Sequence, residues 1–226
     1  MMPAGMHPWM VSVQEALRIQ RDLASRIRLE DEAGEPRTIA GIDVAFSREE
    51  DLLYAAIVVV DAATLAPVET VFAVQQPSFP YLPGLLSFRE GPIVMEAYEK
   101  LSGKPDLLMF DGQGIAHPRG LGLASHLGVL LDKASIGCAK SRLVGDFKDP
   151  KQKRGSMRTL SYERRKVGVV LRTRDGTRPL FVSPGHRITI ETAAARVLAA
   201  AVKFRLPEPT RLADVEAGRA KRERRR

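Results

Sequence analysis

An α/β fold on a mixed five-stranded central sheet, with helices on both faces, is what this 226-residue sequence predicts. Three observations lead there. Three strand-like runs follow one another through short polar links, which favours an antiparallel meander. Beyond Pro83 the pattern changes to helix, strand, helix, strand, which favours parallel strands joined by right-handed crossovers. Apolar residues make up 44% and aromatics only 6%, so the core is expected to be Val, Leu, Ile and Ala, as suits a sheet flanked by helices. The length supports one substantial core and asks for no second domain. Residues 1–215 read as a single domain and 216–226 as a basic, disordered tail.

Each element has its own signal. Ser12 and Glu15 have capping-box spacing, and Val13, Leu17, Leu23 and Ile27 recur at helical intervals, predicting a helix over 12–29 that ends near the turn Asp31-Glu32-Ala33-Gly34. Strands are expected at 38–47, 52–61 and 67–75. On the first, period-two alternation puts Gly41, Asp43 and Ala45 on one face and Ile42, Val44 and Phe46 on the other, so Asp43 is expected on an open face with room for a ligand. A helix over 85–102 contains Pro92 as a local irregularity. A strand at 106–110, a helix at 121–133 and a short strand at 135–139 follow. After a basic loop, strands at 167–173 and 179–183 form a hairpin through Asp175-Gly176. An alanine-rich helix at 189–203 and a shorter one after Pro209 complete the chain.

Two acids stand out against this frame. Leu107-Leu108-Met109-Phe110 carries Asp111 to a strand end and releases it into the glycine-hinged Gly112-Gln113-Gly114. Asp43 lies inside Ile39-Ala40-Gly41-Ile42-Asp43-Val44-Ala45-Phe46, where an uncompensated charge costs several kcal/mol. The element order is that of a ribonuclease H-like fold, in which the first and fourth strands are neighbours; by that analogy Asp43 and Asp111 meet. Two acids on adjacent buried strands suggest a shared cation. Glu90, on a helix among Leu86, Ile93, Val94 and Ala97, is the third candidate. Carboxylates holding one or two divalent metals suit phosphodiester hydrolysis, and Mg2+ suits them because it keeps water and phosphate oxygens in its shell.

The net charge of +8 is unevenly spread. Lys140 to Lys166 holds ten basic residues against three acidic, and Arg219 to Arg226 six against one, so the remainder is mildly acidic. That pattern points to a polyanion. The single Cys138 excludes an internal disulfide and a cysteine-rich zinc site, and its apolar setting reads as a buried small side chain. No apolar stretch reaches the roughly 20 residues of a membrane span, and the start lacks a secretory pattern. No membrane association, a cytoplasmic location and a monomer are the working expectations.

The segments Ala40–Phe46, Pro80-Tyr81-Leu82-Pro83-Gly84-Leu85-Leu86-Ser87-Phe88-Arg89-Glu90, Asp111-Gly112-Gln113-Gly114-Ile115-Ala116-His117-Pro118-Arg119, Ala124-Ser125-His126-Leu127-Gly128, Ile136–Leu143, Ser183–His186 and Pro207–Ala213 together resemble the endonuclease V family. The resemblance runs from about residue 12 to 215. It implies a metal-dependent nuclease that recognises deaminated bases, foremost hypoxanthine in DNA, and hydrolyses the second phosphodiester 3′ to the lesion, using Mg2+ with Mn2+ able to substitute. It also implies Asp43, Glu90 and Asp111 as metal ligands and Lys140 beside the scissile phosphate. Pro80-Tyr81-Leu82-Pro83 resembles the family's wedge, and the extruded base would enter a pocket near Gly84, Leu86, Gly112 and Leu123. Arg89, His117, Arg119, Lys140 and Arg142 are phosphate-binding candidates. His126 reads as a hydrogen-bonded structural histidine, and His186 is given no role. Asp214 stands where some relatives have histidine, and is a further metal candidate that cannot act as a cationic phosphate partner. Inosine in RNA as the main substrate, or a non-cleaving nucleic-acid-binding module, are the alternatives.

Overall fold

The structure, a computed structural model, describes residues 7–32 and 34–224; the first six residues, Ala33 of the predicted turn and the last two arginines of the predicted tail lie outside the described residues. The meander forms as expected. Strands β1 (Thr38–Ser47), β2 (Leu52–Asp61) and β3 (Pro67–Gln75) pair antiparallel. Strands β4 (Leu107–Phe110) and β5 (Ala134–Ala139) then add in parallel on the other side of β1. This gives the ribonuclease H-like order β3-β2-β1-β4-β5.

The sheet does not stop at five strands. Strand β8 (Leu180–His186) pairs antiparallel with β5, and β7 (Arg165–Leu171) and β6 (Met157–Tyr162) continue the same sheet to eight. The expected hairpin between β7 and β8 is present. Strand β6 lies in the segment read as a basic loop. Its Leu160 is buried while Met157, Arg158 and Thr159 are exposed, so it carries little apolar alternation. It is an edge strand, where exposed charge is the ordinary device against further pairing. Glu163 and Arg164, with φ of 49° and 64°, turn β6 into β7, a double positive φ typical of a tight hairpin but unannounced by glycine or asparagine.

Among the described residues five helices flank the sheet. Helix α1 (Val13–Ala24) starts at the predicted cap, with Ser12 Oγ accepting from the Glu15 amide at 3.2 Å. It ends earlier than periodicity suggested and buries Ala16, Ile19, Gln20 and Leu23, while Val13 is 42% exposed. Helices α2 (Leu86–Glu99) and α3 (Leu123–Leu131) pack Ile93, Val94, Ala97 and Leu127 against Ile42, Ile57, Leu108 and Phe110. Pro92 sits inside α2, and the Trp9 indole lies against Gly91. On the opposite face, α4 (Ile190–Ala200) and α5 (Glu208–Glu223) pack Ala193, Val197 and Ala213 on Ile39, Val58, Met109 and Ile136.

Two expectations change here. Helix α5 is the longer of the last two and extends to Glu223, so residues 216–223 are helical, not a disordered tail, and Ala217 is fully buried. The face of β1 that carries Asp43 is not open along its length. A Cβ on Gly41 would come within 1.9 Å of the Pro209 carbonyl oxygen, so the start of α5 rests on the β1 backbone. This is the position at which the absence of a side chain sets helix–sheet spacing.

Candidate active site

A register brings the first two acids together. In the parallel pair Ile42 stands beside Phe110, so Asp43 and Asp111 are the next residues of two adjacent strands, and the Asp111 amide donates to the Ile42 carbonyl at 3.1 Å. Asp214 comes across from α5, which Gly41 allows to sit close. Carboxylate oxygens of Asp43, Asp111 and Asp214 all lie within 4.8 Å of one another. Lys140, the residue after β5, places its Nζ at 2.6 Å from Asp111 Oδ2 and 2.7 Å from Asp214 Oδ1.

The electrostatics of this cluster are unbalanced. Burial and then the charges of Asp111 and Asp214 push the Asp43 carboxyl up to about 6. Burial raises Asp111 as well, although the Lys140 ammonium opposes it. Burial works against the Lys140 charge, but Asp111 and Asp214 outweigh it and hold the ammonium above its ordinary value. Glu90, half-buried on α2, is pushed up to about 8 by burial and by Asp43. It feels the cluster without belonging to the group of mutually close oxygens. Three carboxylates against one ammonium leave two negative charges in a partly desolvated cleft, which like-charge repulsion makes unfavourable unless a cation joins them. Hard oxygen donors in that number suit a divalent metal ion.

Beside the acids lies a cavity of about 370 Å³ whose wall includes Asp111 and Lys140. Gly84, Leu86, Gly112 and Leu123, the four residues expected at a base pocket, all line it. Tyr81, Leu82 and Pro83 form one lip, with Tyr81 69% exposed, and Leu143 lines it from the loop after β5, 44% exposed. Pro80 lies outside, in a shallow groove with Phe79 and Met10. Two helices start at this cavity. Leu86 opens α2 and Leu123 opens α3, neither with a side-chain cap, so the positive ends of two helix dipoles converge there.

The phosphate candidates divide. Lys140 and Arg142 are partly exposed at the cavity wall, although Arg142 Nη1 donates to the Gly145 carbonyl at 2.9 Å. Arg89 is turned inward: Nη1 donates to the Phe79 carbonyl at 2.9 Å and the guanidinium lies 4.6 Å from the Phe46 ring centre. His117 is buried, donates from Nε2 to the Gly84 carbonyl at 3.0 Å, and accepts from the Arg119 amide at Nδ1. Arg119 donates to Gly84 O and to Gln20 Oε1, both at 2.5 Å. Arg89, His117 and Arg119 therefore brace the wedge and pocket and do not present themselves to a phosphate. Basic residues in a loop give no sequence signal for the direction in which they turn.

His126 is fully buried and bonded to Ser87 Oγ at 2.8 Å and to His7 at 2.6 Å, as a structural histidine should be. His186 accepts from the Arg28 amide and meets Asp132 at 3.2 Å, tying the exit of α1 to the end of α3. Cys138 is buried and its thiol is pushed up by burial, which leaves it inert. Gln20 was missed by sequence reasoning. It is fully buried on α1 beside Ala16, Ile19 and Leu23, and a glutamine on the apolar stripe of a helix was the available signal.

Comparison with known proteins agrees with this geometry. The family model described as Endonuclease V matches residues 21–215. The chain belongs to the endonuclease V family. It is 54% identical over 211 residues to the Endonuclease V of Geotalea uraniireducens (strain Rf4), covering 93% of this chain and 89% of that one. The Dictyoglomus thermophilum protein is 47% identical over 207 residues, covering 92% and 90%. The crystal structure of Endonuclease V from Streptomyces avermitilis superposes with a TM-score of 0.92 at 44% identity, covering 100% of this chain and 98% of that one. The Bacillus subtilis structure gives 0.91 at 32%, covering 97% and 96%. Membership of this family makes the chain a nuclease. Among the described residues no helix is long and apolar enough to cross a membrane.

Proposed function

We propose that the chain recognises a deaminated base, foremost hypoxanthine in DNA, extrudes it into the cavity beside Gly84 and Gly112, and hydrolyses the second phosphodiester on its 3′ side. One observation carries the reading: a cavity of about 370 Å³ shares Asp111 and Lys140 with the acidic cluster, so a base held there would keep its strand against the acids. Pockets for small ligands start at about 300 Å³, a size that admits a single nucleobase. A protein of the same fold from Ciona intestinalis, 24% identical, has been crystallised with DNA containing an inosine.

Asp43, Asp111 and Asp214 would hold the divalent ion, with Glu90 close behind, and Mg2+ is the ion whose preference for oxygen ligands they match, Mn2+ substituting. Bound there, the ion would supply the positive charge that eases ionisation of water and departure of the 3′ oxygen. Lys140 would keep a full positive charge at the strand's phosphate, where negative charge grows in the transition state. Tyr81, rigidified by Pro80 and Pro83, would replace the stacking lost when the base leaves the duplex. The N-termini of α2 and α3 would favour a base edge rich in acceptors such as O6 and N7.

The test is a duplex with one hypoxanthine, incubated with Mg2+ and mapped to the nucleotide. A nick at the second bond 3′ to the lesion is expected, lost by more than about a hundredfold in Asp43→Asn or Asp111→Asn while lesion binding persists. Near-normal nicking in either variant contradicts the ligand assignment. A strong preference for inosine in matched RNA overturns the choice of DNA, and binding with no nick overturns the chemistry.

A further inference from the structure

Lys140 stands where its strand runs out of partners. The paired register of β5 and β8 ends at Ala139 and Phe181, so Lys140 lies one residue beyond the ladder. At the entrance of β8 comes Pro179, which has no N–H with which to extend the pairing. Arg205 supplies donors there instead. Its Nη2 donates to the Lys140 carbonyl at 3.1 Å and to the Pro179 carbonyl at 3.0 Å, and its Nε donates to the Arg178 carbonyl at 2.7 Å. One planar guanidinium thus bridges the end of β5 to the entrance of β8, a task for which the rigid fork of arginine is suited.

Arg205 is itself held in place. It is half-buried in the link between α4 and α5, and Thr173 Oγ1, just past β7, donates to its carbonyl at 2.6 Å. Three residues later α5 begins, the helix that carries Asp214 to the acidic cluster. The ammonium of Lys140 needs accuracy, because its Nζ sits 2.6 Å from Asp111 and 2.7 Å from Asp214 at the end of a flexible stem. A main chain free to shift would carry that stem with it, and a displacement of about 1 Å at a reacting group can cost about a hundredfold in rate. The Arg205 charge also reaches Asp111, where it favours the ionised carboxyl, so a purely electrostatic role is the rival to be separated.

We propose that Arg205 is a positioning residue for the cleavage reaction: its guanidinium fixes the main chain at Lys140 and so aims the Lys140 ammonium at the scissile phosphate. The inference rests on the reading of Lys140 as the group beside that phosphate. Arg205 acts through Lys140 and not on the substrate.

A double-mutant cycle on the full chain tests this. Arg205→Met, Lys140→Met and the two together are compared with the unaltered protein on a duplex carrying one hypoxanthine. Single-turnover nicking is measured in Mg2+ at saturating protein, the dissociation constant in EDTA, and melting temperature alongside. Arg205→Met is expected to slow nicking about tenfold while the dissociation constant changes less than about twofold, and to slow it no further once Lys140 is methionine. A role in charge or in general stability would survive the loss of Lys140, so an equal slowing in both backgrounds overturns the proposal. A normal rate in Arg205→Met, or a loss confined to binding, overturns it as well. Arg205→Lys keeps a donor near the same carbonyls and passes through the same cycle should Arg205→Met not fold; a smaller slowing is expected, again absent when Lys140 is methionine. If Lys140→Met alone nicks at the normal rate, the assignment of Lys140 to the phosphate falls, and the positioning role falls with it.

Discussion

Asp43, in mid-strand, ionises against its surroundings, and its neighbours explain why it is tolerated. Burial and two further acids push it up, while the Lys140 ammonium and the hydrogen bond of the Val44 amide favour its charged form. His117 is the reverse case. Burial and the Arg119 charge push it down to about 4 from an ordinary 6.5, so the folded chain keeps it neutral where the unfolded chain takes up a proton. Its contribution to stability is complete above pH 6.5 and is lost as pH falls towards 4. At pH 5 that loss is about 2 kcal/mol. The acidic cluster titrates with opposite sign, and a comparison of His117→Gln with the unaltered protein cancels it. The variant is expected to be less stable at pH 7 and to close the gap by about 2 kcal/mol at pH 5, followed by denaturant unfolding at both pH values. A gap independent of pH means that His117 titrates normally and is not buried as described.

Among elements, α5 does most to complete the site, and it was the hardest to read. The strands were legible because Ile, Val and Leu runs bounded by short polar turns leave few alternatives, and both Asp43 and Asp111 could be picked from them. Helix α5 has a polar composition, with Arg, Lys and Glu throughout its second half, so its pattern resembles a solvated tail. What makes it a helix is local pairing and docking. Arg219 pairs with Glu216 at 2.7 Å, Ala217 is fully buried, and Lys221 donates to the Phe46 carbonyl at 2.8 Å. Strand β6 escaped notice for a similar reason, since one buried Leu160 in six residues is no periodicity. Removing residues 216–226 is therefore expected to lower stability by about 2 kcal/mol, a fall in melting temperature of about 4–8 °C. It should also weaken nicking, because Asp214 then sits in a fraying last turn. An unchanged melting curve would show that the distal half of α5 contributes nothing.

The whole molecule places its acidic cleft beside one of its two basic segments. The sheet extension β8-β7-β6 carries part of that charge to the side of the cavity: a groove of about 490 Å³, which shares His117 with the bracing network, is lined by Arg119, Arg165, Lys166 and Tyr162. Lys166 is paired with Glu191 at 2.5 Å and Arg119 is bonded to Gly84 and Gln20; Arg165 shares the groove with the Glu163 carboxylate, which offsets part of its charge. Sequence showed the excess of basic residues between 140 and 166 but not that a hairpin would lay them next to the site, since the β6 strand itself was unreadable. A nucleic-acid backbone following that groove would release counterions on binding, an effect indifferent to the base in the pocket. Arg165→Ala is accordingly expected to weaken binding to hypoxanthine-bearing and unmodified duplexes by the same factor. It should also reduce the slope of log affinity against log salt by about one. Titrations of both duplexes from low to high salt check this. A loss confined to the lesion duplex would place Arg165 in base recognition, and an unchanged slope would route the backbone elsewhere.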